Sequence, residues 1–351
     1  MSRAVLSLAA VLLAGCGTVE APVSPARLGD HPLETHLRNV RQLTFGGENA
    51  EAYFSPDGES IIFQSTREPH ACDQQYVMNT DGSDARLVST GEGRTTCGYY
   101  TGEGRIIYAS THLGAPECPP EPDPATGYVW PLYRTFDIFS ANPDGTDIRR
   151  LTDADGYDAE GTVSPDGQKI VFTSTRDGDL EIYTMNVDGS EQTRLTDELG
   201  YDGGAFFSPD SQWIVYRAGH PSEPEDVAAY QDLMDQDLVQ PENLEIFVMR
   251  ADGGDKRRIT DFGGANWAPF FHPSGEKIIF ASDMDNTSPR VPNFELYMIG
   301  LDGTGLERLT YDEAFDGFPI FSPNGSKLLW ASNRFSEDPG ETNVFIADWI
   351  E

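Results

Sequence analysis

Residues 54–63 read FSPDGESIIF, a tight polar turn followed by an unbroken apolar run. The same phrase returns as VSPDGQKIVF (163–172), FSPDSQWIVY (207–216), FHPSGEKIIF (271–280) and FSPNGSKLLW (321–330). Proline at the second position pre-sets a turn dihedral and glycine at the fourth takes a positive φ, so each copy encodes a hairpin. The apolar run after it suits a strand covered on both faces. A short strand ending in an aromatic precedes each turn. A third strand follows, as in LEIYTMN (180–186), LEIFVMR (244–250) and FELYMIG (294–300), and then an Asp-Gly turn and a Leu-Thr ending.

The turns begin at Ser55, Thr101, Ser164, Ser208, His272 and Ser322, at spacings of 46, 63, 44, 64 and 50 residues. A basal unit of about 44 residues with four strands is a propeller blade. The expected fold is therefore all-β, a six-bladed β-propeller. The longer spacings place insertions between the second and third strands (b and c) of blades two and four. After NVFIADW (343–349) no outer strand follows, while NVRQLTF (39–45) precedes the first turn and is spare. The N-terminal strand is thus expected to complete blade six, closing the ring and removing its open edges.

The stretch SPDGQKIVFTSTRDGDLEIYTMNVDGS (164–190) resembles the repeat of the TolB-type β-propellers, and the resemblance extends over residues 39–351. The N-terminal α/β domain that stands before the TolB propeller has no counterpart here. The resemblance implies an envelope protein that binds a partner. Some propellers of this kind precede a serine-peptidase domain, and others are lyases that hold a metal with several histidines.

Ahead of the repeats, Arg3 is followed by AVLSLAAVLLAGC, too short an apolar stretch to span a bilayer. Leu13-Ala14-Gly15-Cys16 resembles the bacterial lipobox, so residues 1–15 read as a signal peptide and Cys16 as the acylated mature N-terminus. Gly17 in place of Asp then implies the outer membrane, facing the periplasm. Residues 16–38 read as a tether. The other cysteines, Cys72, Cys97 and Cys118, fit one disulfide and one free thiol in an exported protein. All three pairings are open; Cys72–Cys118 is favoured because both lie in neighbouring b–c loops.

The chain carries 24 Lys and Arg against 58 Asp and Glu, a net charge of −34. Such a surface repels phosphate backbones and excludes nucleic acid as a partner. It favours solubility, here as a monomer, and cationic partners or metal ions. DADGYDAE (153–160) packs Asp153, Asp155, Asp158 and Glu160 around Gly156, an oxygen-rich loop that suits Ca²⁺, although it departs from EF-hand spacing.

Strand a should begin, and the b–c loops should lie, on one face around the channel mouth. Six residues before each turn stand Asn49, Thr95, Asp158, Asp202, Asn266 and Asp316; Glu51 and Glu160 stand four before. Four residues past the strand-b aromatic stand Arg67, His112, Arg176, His220, Met284 and Arg334. These either form Arg–Asp pairs that tie neighbouring blades together or form a ligand-binding mouth. For Arg67, Arg334, His112 and His220 we carry the recognition reading forward, and Arg176 stands among them with the stronger structural claim. The insertion 112–133 is rich in Pro and aromatics and offers Tyr128, Trp130 and Tyr133 as contacts. In 221–245, Ser222 and Glu225 suggest a capping box and Val227, Tyr230, Met234 and Leu238 one helical stripe, ended by Pro241.

No G-x-S-x-G, H-E-x-x-H, P-loop or G-x-G-x-x-G motif is present. His70, His112 and His220 stand in loops near the mouth. Two functions remain: a non-catalytic binder of a protein, peptide or glycan, or a metal-dependent lyase or hydrolase acting on an acidic saccharide.

Overall fold

The computed structural model describes residues 30–286, 293–336, 338 and 340–351, so Cys16 and the expected signal peptide lie outside the described residues. Six four-stranded antiparallel sheets form a ring. Strand a, nearest the axis, spans Glu48–Phe54, Thr95–Tyr100, Asp158–Val163, Tyr201–Phe207, Asn266–Phe271 and Asp316–Phe321 in blades one to six. Strand b follows each of the six turns, and its apolar run is buried, with Ile61, Ile62 and Phe63 fully so. In the first turn the Ser55 hydroxyl donates to Asp57 (2.6 Å) and accepts from the Ser60 amide (2.9 Å), while Gly58 takes φ +74°.

The Leu-Thr endings have a structural cause. In blades two to five an Arg of strand d pairs with a carboxylate that opens strand c: Arg150–Asp137 (2.7 Å), Arg194–Glu181, Arg258–Glu245 (2.9 Å) and Arg308–Glu295 (2.8 Å). The threonine hydroxyl two residues after the Arg accepts the next strand-c amide, as Thr152 does from Ile138 at 2.9 Å. Each blade thereby stitches its exposed outer strand to its buried third strand.

Blade six is closed by the N-terminal segment. Leu37–Gln42 pairs antiparallel with Asn343–Trp349, setting Leu37 opposite Trp349 and Gln42 opposite Phe345. The pairing strand thus starts two residues earlier than expected. The tether boundary also moves: Glu34 is fully buried, and its carboxylate accepts from both terminal nitrogens of Arg334 (3.0 and 2.6 Å). Residues from Glu34 onward therefore belong to the folded body.

The insertion of blade four contains the helix Pro224–Met234. Its N-cap is Glu223 and no side chain caps it, so the Ser222–Glu225 box does not form. It stops at Met234, well before Pro241, because Leu238–Val239 pairs as a strand with Trp130–Pro131 of the blade-two insertion. The two insertions meet as a ribbon over the channel mouth. Trp130, Tyr133, Tyr230 and Met234 from the two insertions pack against one buried cluster that includes Leu132, Tyr157, Tyr201 and Val239.

Candidate functional site

Every strand a carries a register shift at one place, between Ala50 and Tyr53 in blade one and at the matching positions in the others. Within each shift one residue takes a positive φ: Glu51 (48°), Cys97 (50°), Glu160 (58°), Gly204 (58°), Ala268 (49°) and Phe318 (56°). These stand four residues before the turns and all six line the central cavity. Five of them bear a side chain in a conformation that L-residues enter at a cost, the kind of strain that gathers at functional positions. The bulge turns these side chains toward the axis. Gly204 is the exception in type because the guanidinium of Arg217 fills its space: a Cβ there would stand 2.0 Å from Nη1.

Two residues nearer the turn, Tyr53, Tyr99 and Phe206 pack across the axis at centroid distances of 5.2, 5.8 and 6.2 Å. Above this plug lies a cavity of about 970 Å³ that opens on the loop-bearing face. Its walls differ. On blades five and six Trp267 contacts Phe318 (4.7 Å), Phe294 (5.3 Å) and Phe315 (6.1 Å), an apolar platform. The ribbon adds Trp130, which stands 6.0 Å from Trp267, receives the Arg217 guanidinium on its ring at 5.2 Å, and donates from Nε1 to the Tyr128 hydroxyl (3.1 Å).

The rest of the wall is acidic. Glu160 accepts from Arg217, from Thr173 (2.6 Å) and from the Gly204 amide (2.8 Å). Burial works against its charge, but the Arg217 charge and these bonds outweigh it and hold the carboxyl below its usual range. Glu51 has no such set. Its Oε2 is buried without a hydrogen-bond partner, and burial pushes its carboxyl up to about 7, against a contact with the Cys97 thiol. Burial, together with the Glu51 and Glu160 charges, pushes Cys97 well above the ordinary thiol range. At the rim Arg94 pairs with Asp73 (3.4 Å) and Glu121.

Of the side chains singled out from the sequence, Tyr128 and Trp130 line this cavity, and Arg67, His112, Arg176, His220 and Arg334 do not. Those five are engaged inside their own blades. Arg67 donates to Asn49 (2.6 Å) and lies over Tyr76; Arg176 grips both oxygens of Asp158 (2.8 and 2.9 Å). Arg334 is buried between Asp316 and Glu34. His112 bonds Ser110 (2.8 Å). His220 bonds Asp202 (3.1 Å), and although burial disfavours its charge, Asp202 and Glu198 hold the imidazolium above its usual pKa. The reason is position: four residues past the strand-b aromatic, just beyond the end of that strand, the side chain points back along its own sheet to the start of strand a.

The expected Ca²⁺ loop does not assemble. Asp153 and Asp155 are exposed, Asp158 is taken by Arg176, and Glu160 faces the cavity with Arg217. Among the described residues no three of His, Cys, Asp and Glu are grouped to hold a metal ion, and His112 and His220 are each bound to different blades. Cys72 and Cys118 are joined by a disulfide, and Cys97 is free.

Sequence reasoning noted Glu51 and Glu160 and read Cys97 as a free thiol of a channel strand, but missed Arg217 and the Trp267 platform. The readable cue was the offset of four before each turn, together with the residue just after the strand-b aromatic. That residue is polar in blades one, three and four (Gln64, Thr173, Arg217) and alanine in the others.

The comparisons agree with this architecture. The family description "TolB beta propeller domain" matches residues 133–240. A putative TolB from Agrobacterium tumefaciens superposes with a TM-score of 0.57 at 20% identity, over 87% of this chain and 91% of that one. A gluconolactonase from Xanthomonas campestris gives 0.58 at 14% identity over 93% and 95%. An oligogalacturonate lyase in complex with manganese gives 0.51 at 13% over 89% and 93%. No curated protein matches the chain. At these identities the likeness is one of fold: the chain is a TolB-like six-bladed β-propeller.

Proposed function

We propose that this propeller is a non-catalytic binding protein of the bacterial envelope that holds a segment of a protein partner in the cavity on its loop-bearing face. The observation that carries the reading is the division of labour around the channel. The recurrent Arg and His are spent on their own blades, whereas both insertions converge to wall one cavity with aromatic side chains. Long loops on a rigid scaffold are where recognition is usually placed. In this reading residues 1–15 are removed, Cys16 is acylated, and the protein faces the periplasm from the outer membrane. Among the described residues no helix is long and apolar enough to cross a membrane.

The rival is a metal-dependent lyase or hydrolase acting on an acidic saccharide, favoured by the manganese-holding lyase among the similar folds. The residues here do not fit it. No grouped metal ligands face the cavity among the described residues, and seven carboxylates against two guanidiniums line it, a field that repels uronate groups. A photo-crosslinker at exposed Tyr128 should capture a partner from envelope extracts, while one at Asp188, in a turn on the opposite face, should not. Equal capture from both faces, or turnover of oligogalacturonate by the manganese-loaded protein, would overturn the proposal.

A further inference from the structure

We propose that the segment enters with a cationic side chain, a lysine ammonium or arginine guanidinium, which lodges against Glu51, while flanking apolar residues rest on the Trp267–Phe318 platform. This rests on the reading of the cavity as a peptide site and names the chemistry it selects. Three observations lead to it. First, both arginines of the lining are already committed, Arg217 to Glu160 and Arg94 to Asp73 and Glu121, so among the described residues no uncommitted cation lines the cavity for the excess of carboxylates. Second, Glu51 is the carboxylate of the inner ring left over: its Oε2 is buried and without a partner, whereas its counterpart Glu160 is fully bonded. A buried acceptor without a donor marks a missing partner. Third, around the ring Glu51 is followed by Cys97 on blade two and preceded by Phe318 on blade six. The unpaired carboxylate therefore sits beside the aromatic platform, and an ammonium favours carboxylate and ring faces together.

The occupant is a peptide rather than a bare cation because half of the wall is apolar and wants apolar surface. The whole-chain charge of −34 draws the same class of partner toward the mouth.

Proton linkage follows from the same geometry. The groups facing Glu51 are the Cys97 thiol, Glu160, Arg217 and Asp73. The thiol stays protonated near neutrality and Glu160 stays ionised, so Glu51 changes charge around pH 7 as its partner arrives. Glu48 at the rim is raised as well, by burial and by the Asp73 charge. Binding of a cation below pH 7 therefore expels a proton, and affinity should climb with pH and flatten above about 7.

The test is calorimetric titration of the purified protein with three peptides, acetylated and amidated Gly-Phe-X-Phe-Gly, in which X is Lys, Ala or Glu. The Lys peptide should bind at least ~10-fold tighter than the Ala peptide, and the Glu peptide weakest. Glu51→Gln should abolish the Lys-over-Ala preference while the Ala peptide still binds. Wild-type affinity for the Lys peptide should rise with pH to about 7, which reads the same carboxylate without a variant. Equal binding of the Lys and Ala peptides, or a flat pH profile, overturns the cation claim and leaves the peptide site standing. Binding of none of the three overturns both.

Discussion

The buried cluster of Glu34, Arg334 and Asp316 bears the most weight for how the ring is held shut, and its energetics can be worked from the geometry. Arg334 is 4% exposed and both carboxylates 0%. The guanidinium donates to Glu34 at 3.0 and 2.6 Å and to Asp316 at 3.1 and 2.5 Å. Glu34 also accepts from the Tyr311 amide (3.0 Å), and Asp316 from the Trp330 indole (3.1 Å). One cation thus serves two buried anions on segments 282 residues apart in sequence. Arg334→Met removes it and strands both carboxylates, so the loss should reach about 3–5 kcal/mol. Glu34→Gln leaves the Arg334–Asp316 pair intact and an amide oxygen for Tyr311, so it should cost about 1.5–3 kcal/mol, the range of a hydrogen bond to a charged group. Burial holds the Asp316 carboxyl above its usual range in spite of Arg334, and the Glu34 charge adds to this. A carboxyl raised in the folded state loses stability as pH climbs from its unfolded pKa through its folded one. Glu34→Gln should therefore flatten that decline as well as shift the whole curve. Urea unfolding followed by tryptophan fluorescence, at pH 5 and pH 8, measures both effects. A loss below about 1 kcal/mol for Arg334→Met, or equal losses for the two variants, would refute the view that Arg334 is the shared counter-ion.

Glu51 titrates at about 7 when folded and near 4.5 when unfolded, so it withdraws stability between those values and the deficit is complete above pH 7. Glu51→Gln should leave stability at pH 4 unchanged and raise it at pH 8 by up to about 3 kcal/mol, read by the same unfolding assay. Cys97 should react with a thiol reagent at pH 8 far more slowly in the folded protein than in urea, because burial disfavours its thiolate; equal rates would place it outside the cavity wall. Cleaving Cys72–Cys118, which closes a span of 46 residues, should lower stability by about 4 kcal/mol on chain entropy, measurable with and without reductant. Cys16→Ser should move the protein from the membrane fraction to the soluble or unprocessed one, and unchanged fractionation would remove the acyl anchor.

Much of the architecture was legible in the chain because a propeller is written locally. The turns at Ser55 and Ser164 carry a proline dihedral, a glycine φ and a serine–aspartate bond two residues apart, and the other four keep enough of that set to be recognised, so six turns could be counted and the ring closed by arithmetic. The spare strand at the N-terminus followed from the same count. The site was less legible. Whether Arg176 serves a ligand or Asp158 depends on which way the chain leaving strand b turns that side chain, and that is decided by the sheet and not by the repeat. The bulge that aims Glu51, Cys97 and Glu160 at the axis leaves only a faint periodic trace, since the six residues there share a backbone conformation and no chemistry. The pairing of Trp130–Pro131 with Leu238–Val239 joins two insertions 108 residues apart, and nothing in either one names the other. Local turn chemistry therefore set the ring. Contacts between distant segments, which exist only once the ring has closed, set the acidic and aromatic walls of its cavity and leave one oxygen of Glu51 there without a hydrogen-bond partner.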